Sequence, residues 1–179
     1  TAQEKKKKTV TTTVKTTVKT TKTPIKKAAA TKFSINSVSG KADAKVIKAF
    51  NTLGYKLTVN KNVSYAGYFN AKNRYVELKT ENTDDLLHEL GHFVSFITGN
   101  KDNTAEFKKI YASEKSKYTG SNKAYVTKNS QEYFAESYLN YCQNKTALQK
   151  SRPQTYAYIQ KCVNGISDNS VAMVKAIYY

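Results

Sequence analysis

Asp84-Asp85-Leu86-Leu87-His88-Glu89-Leu90-Gly91-His92-Phe93-Val94 holds the only two histidines in the 179-residue chain. They stand four apart on a stretch whose apolar positions, Leu86, Leu87, Leu90, Phe93 and Val94, fall at helical spacing. That spacing turns both imidazoles to one face, one helical turn apart, where they can grip a single ion. Glu89 lies about 100° further round the helix, placed to reach a water on that ion. His-Glu-x-x-His on a helix is the pattern of zinc peptidases, with two ligands and a general base. The plainer reading is a helix with two incidental histidines. A chain so poor in histidine nevertheless places both at ligand spacing.

The flanks set this helix in an α+β frame. Upstream, Asp43 to Leu53 carries Val46, Ile47, Phe50 and Leu53 on one helical face, with Gly54 placed to end it. Tyr55–Val59 alternates as a strand, Val63–Phe69 does so more weakly around Gly67, and Arg74–Lys79 alternates again. The strand over 74–79 leads into the motif helix, and its edge is the expected rail for an extended peptide. Downstream, Gly99 reads as a stop, and Asn103 to Glu106 as a capping box for a helix with Phe107, Ile110 and Tyr111. Lys117–Thr127 reads as a loop. Ser130–Cys142 is a helix with Tyr133, Phe134, Ser137, Tyr138 and Tyr141 in one band, Pro153 opens another through Val163, and Asp168 caps a last one to Ile177. Residues 1–30 stand apart as a basic Thr/Lys-rich segment, either a tether or an added strand in which Val10, Val14 and Val18 share a parity. Residues 31–179 are then the folded domain.

Two histidines need at least one more protein ligand to hold zinc with a position left open. No third histidine exists, so a carboxylate is the natural choice. The helix over 130–142 offers Glu132 and Glu136, one turn apart on one face. That pair suits a ligand and a neighbour that orients a histidine, and spacing alone does not say which is which.

Thirty basic residues against thirteen acidic ones give a net charge of +17. Such a field favours anionic surroundings, among them an anionic cell-wall or surface polymer. All the basic residues except Arg74 and Arg152 are lysines. Base readout prefers arginine, so sequence-specific nucleic-acid binding is not expected. No apolar run is long enough for a transmembrane segment. The start at Thr1 fits a processed product whose leader has been removed. Cys142 and Cys162 each fall in a predicted helix with a short turn between, and a disulfide across that hairpin is expected outside the cell.

His88-Glu89-Leu90-Gly91-His92, followed 40 residues after His92 by Glu132-Tyr133-Phe134-Ala135-Glu136, resembles the anthrax lethal factor family of zinc metallopeptidases. It is similar above all to the small secreted proline-proline endopeptidases of Gram-positive bacteria. Arg152-Pro153-Gln154-Thr155-Tyr156-Ala157-Tyr158-Ile159 resembles that group's closing helix, and the likeness covers residues 75–162. The resemblance implies a zincin-like fold, with a small sheet region followed by a mostly helical subdomain, and one catalytic Zn2+. It implies Glu132 as third ligand beside His88 and His92, Glu136 as the carboxylate behind the ligands, Glu89 as general base, and Tyr125, seven residues before the ligand, as oxyanion donor. The implied partner is a protein or peptide substrate lying extended along the cleft, and the implied setting is extracellular and Gram-positive. The chain has no tryptophan, so Pro-Pro specificity does not follow. Two other readings stand beside it: a cationic surface-binding module with a vestigial peptidase core, and a toxin-type metallopeptidase subunit.

Overall fold

Asn82 starts the helix that everything else packs against. Its side-chain oxygen accepts from the backbone N–H groups of Asp84 and Asp85, satisfying donors that the first turn leaves open. The computed structural model describes residues 29–179, and the expected tether or strand over 1–30 lies almost wholly outside them. Lys32–Tyr179 forms one unit.

After a short 3-10 turn at Ile35–Val38, helix α1 (Ala44–Thr52) begins at an Asp43 cap and buries Val46, Ile47, Ala49 and Phe50. Gly54 follows with φ of 77°, a left-handed turn that a side chain would strain. Three strands come next: β1 (Lys56–Val59), β2 (Gly67–Asn70) and β3 (Tyr75–Leu78). β3 pairs with β1 in parallel and with β2 antiparallel, so the order is β1-β3-β2. Val76 and Leu78 of β3 are fully buried, and the alternation read from sequence is what turns them inward. The expected rail is therefore misplaced. β3 is central and has both edges paired, so the sheet's free edges lie on β1 and β2, and β2 is the one packed against the motif helix.

That helix, α2 (Thr83–Ile97), buries the five apolar residues expected of it and ends at Thr98 before Gly99. The second half is helical: α3 (Ala105–Glu114), α4 (Lys123–Val126), α5 (Ser130–Gln143), α6 (Lys145–Ser151), α7 (Pro153–Asn164) and α8 (Asp168–Tyr178). The fold is α+β, a small sheet followed by a helical subdomain. Thr104, one residue later than expected, caps α3, and Ser167 rather than Asp168 caps α8. α4 sits inside the expected loop, and α6 fills the expected turn between α5 and α7. The disulfide expected between Cys142 and Cys162 is not formed. Both cysteines are free. Cys142 lies beside Tyr138 and Lys145, whereas Cys162 faces Thr98 and Lys101. Burial pushes both thiols up to about 11, so both stay protonated at neutral pH.

α2 and α5 cross closely. A Cβ on Gly91 would come within 2.6 Å of the Ala135 Cα and 2.7 Å of its carbonyl oxygen. One glycine thus lets two backbones approach, and the approach brings the acids of α5 to the histidines of α2.

Candidate metal centre

His88 and His92 project from α2 toward Glu132 on α5. Asn129 caps α5 by accepting from the Glu132 N–H at 2.9 Å, which fixes where that first-turn acid starts. Glu132 Oε2 lies 3.0 Å from His88 Nε2 and 3.6 Å from His92 Nε2. One donor atom from each of the three residues falls within 4.8 Å of the others. On the far side of the imidazole, His88 Nδ1 donates to Glu136 Oε2 at 2.6 Å. That bond selects the tautomer whose Nε2 faces Glu132, the role a carboxylate behind a metal-ligating histidine plays. Two imidazoles and one carboxylate form a donor set suited to zinc with a coordination position left over. The residues fit a divalent cation.

The electrostatics agree. Burial pushes the His88 imidazolium down, but hydrogen bonds to Glu132 and Glu136 outweigh it and raise its pKa to about 10. Burial pushes Glu132 up, but His88 and His92 more than offset it and hold its carboxyl well below the usual range. The metal-free site is thus an ion pair with a proton where a cation would sit. Binding a cation must expel the His88 proton anywhere below about pH 10. Zinc affinity is therefore expected to rise about tenfold per pH unit between about pH 6 and pH 8. Competition titration against a chelating dye across that range checks it, and a flat profile would show that no proton is displaced.

Glu89 is 6 % exposed and follows His88 directly on α2. Burial raises its pKa, offset in part by the two histidines. Gly67, the first residue of β2, lies against it: a Cβ there would meet Glu89 Oε1 at 2.7 Å. The sequence marks Gly67 only as a bulge or turn, and nothing local to it foretells this approach. Gly67 of β2 and Glu89 thus line one cleft of about 670 Å³, which also takes in Tyr65, Asp85, His88 and Tyr125.

Tyr125 comes from α4 and is 50 % exposed at the cleft mouth. Burial, then the charges of Glu132 and Glu89, push its phenol up to about 12. Lys128 Nζ stands 3.9 Å over its ring. Sequence reading missed Tyr118. It is buried, and its hydroxyl donates to the Ser121 carbonyl at 3.0 Å and reaches Glu136 Oε1 at 3.4 Å. In a chain with fourteen tyrosines, only the folded loop distinguishes it.

Residues 3–162 match the family described as anthrax toxin lethal factor, N- and C-terminal domain. The chain belongs to this lethal factor family. Its members are zinc metalloproteases, and the converging His88, His92 and Glu132 supply a group in this chain that could carry that metal. No curated protein gives a significant match. As a lethal factor-type chain it is related to toxin metallopeptidases, and no helix among its described residues is long and apolar enough to cross a membrane.

Proposed function

We propose that this chain is a secreted zinc endopeptidase that hydrolyses peptide bonds in extended segments of surface or extracellular proteins, with residues 31–179 as the peptidase domain. The observation that carries this reading is the convergence of His88, His92 and Glu132, with Glu89 beside them and against Gly67 of the edge strand β2. His88, His92 and Glu132 would hold the zinc, and Glu136 would keep His88 in its ligating tautomer. Bound there, zinc supplies Lewis acidity that makes water a better nucleophile and polarises the scissile carbonyl.

The rest falls to the chain. The β2 edge pairs with the substrate backbone and holds it extended, so that side-chain pockets select the sequence. Glu89 takes the proton from the attacking water on a carboxylate oxygen, and returns it to the leaving amine. Its burial suits both steps, because a carboxylate with a raised pKa holds the proton long enough to pass it on. Tyr125 keeps its phenolic proton at neutral pH and donates it as a hydrogen bond to the developing oxyanion.

Removing only that hydroxyl, in Tyr125→Phe, is expected to lower kcat about 100-fold with KM and zinc content little changed. Unchanged turnover would remove Tyr125 from the chemistry. The reading as a whole is tested by mass-spectrometric analysis of a diverse peptide library incubated with zinc-loaded protein, Glu89→Ala serving as blank. The library is enriched in proline because of the likeness of Arg152–Ile159 to the proline-proline enzymes. Cuts confined to the wild type are expected, and their flanking residues will say whether proline is favoured. Identical spectra from both proteins would contradict the peptidase reading.

A further inference from the structure

We propose that Arg152 heads a carboxylate-binding subsite at the end of the cleft, which takes an acidic side chain or the C-terminal carboxylate of a peptide substrate. The subsite's role in substrate choice rests on the peptidase reading above. Arg152 is 4 % exposed and is the residue from which α7 starts. Its guanidinium donates to Ser137 Oγ at 2.9 Å and to Asn140 Oδ1 at 2.6 Å, both neutral groups of α5. It stands 5.3 Å from the ring centres of Tyr118 and Tyr133. Among the described residues no carboxylate forms an ion pair with it. A guanidinium has about five N–H donors, and the two hydrogen bonds leave the others open. A buried cation without a counter-ion is costly, and an arriving anion removes that cost.

A cavity of about 230 Å³ has Arg152 in its wall. It shares Tyr118, Gly120, Asn140 and Gln143 with the catalytic cleft, so the two adjoin across those residues. The charge changes sign across the join. The catalytic cleft is lined by Asp84, Asp85, Glu89 and Glu136 and by no lysine or arginine. The adjoining cavity is lined by Lys117 and Arg152 and by no acid. Tyr118 stands between them, its hydroxyl toward Glu136 and its ring beneath Arg152. A chain whose basic residues are otherwise all lysine places one of its two arginines here. The planar guanidinium fork suits a carboxylate, which it can meet with two parallel hydrogen bonds.

The test uses the full chain as zinc-loaded Glu89→Ala, a receptor that binds without cutting. The probes are acetylated peptides on one neutral alanine–glutamine host. One is amidated, a set carries a single Glu moved along the amidated host, and one has a free C-terminal carboxylate. Calorimetry is expected to show at least one carboxylate peptide binding about tenfold more tightly than the amidated host. Which probe gains identifies the source as side chain or chain end. Adding Arg152→Gln is expected to abolish the gain, and Arg152→Lys to keep part of it. Equal binding of all probes, or a gain that survives Arg152→Gln, overturns the proposal. Should Arg152→Gln fail to fold, Lys117→Gln at an exposed position decides: an expected two- to threefold loss of the gain supports the subsite, and no loss overturns it. A carboxylate gain in binding, with no cleavage by zinc-loaded wild type, would sink the peptidase reading and leave the subsite standing. Cleavage with no such gain would do the reverse.

Discussion

Glu132→Ala is expected to weaken zinc binding about a thousandfold or more, roughly 4 kcal/mol. Its carboxylate oxygen lies near both imidazoles, 3.0 Å from His88 and 3.6 Å from His92, so its loss opens the site from the α5 side. Glu136→Ala should do less, about 10- to 100-fold, because Glu136 touches only the far nitrogen of His88. The two variants, titrated side by side with a chelating dye as competitor, separate a ligand from a group that aims one. If Glu136→Ala loses more affinity than Glu132→Ala, the two acids have been assigned the wrong way round.

Gly91→Val carries the second large effect, on the whole fold. An alanine or larger residue gains up to about 1 kcal/mol of helix propensity over glycine. That gain is opposed by backbone: the new Cβ would stand 2.6 Å from the Ala135 Cα, and backbone cannot swing aside as a side-chain tip can. Overpacking of this kind costs about 1–3 kcal/mol, and a β-branched residue falls at the upper end. A loss of about 2–3 kcal/mol corresponds to a drop in Tm of roughly 5–10 °C for a chain of this size. Zinc affinity should fall too, since α2 and α5 must part and the three donors part with them. Thermal unfolding with and without zinc measures both. A Tm within a degree of wild type would mean that the helices do not need their close approach.

The elements legible in the sequence are those set by local rules. α2 announces itself through helical spacing and turn residues at its ends, and α5 through its aromatic band. The pair Glu132 and Glu136 was visible as two acids one turn apart, since helix geometry alone puts them on one face. What the sequence hid depends on contacts between distant segments. Strand order is one: a four-residue strand carries no mark that says whether its edges are paired, and β3, the expected rail, has both edges taken. The meeting of Gly67 with Glu89 and of Gly91 with Ala135 is another, because a glycine's neighbours lie elsewhere in the chain. The disulfide is a third, because placing two cysteines on neighbouring helices does not say which way each thiol turns: Cys142 lies by Tyr138 and Lys145, and Cys162 by Thr98 and Lys101. Tyr118 and Arg152 gain their positions from a loop and a helix start, where periodicity has nothing to say.

One zinc at this centre is proposed to drive peptide hydrolysis, with Glu89 as base. It is tested most directly by titrating zinc into metal-free wild type and Glu89→Ala while following cleavage of a peptide that the wild type cuts. Wild-type turnover is predicted to rise linearly and level off at one zinc per chain. Glu89→Ala should bind the same single zinc and cut about 10³- to 10⁴-fold more slowly. Turnover that does not depend on zinc, or a Glu89→Ala variant as active as wild type, would contradict it.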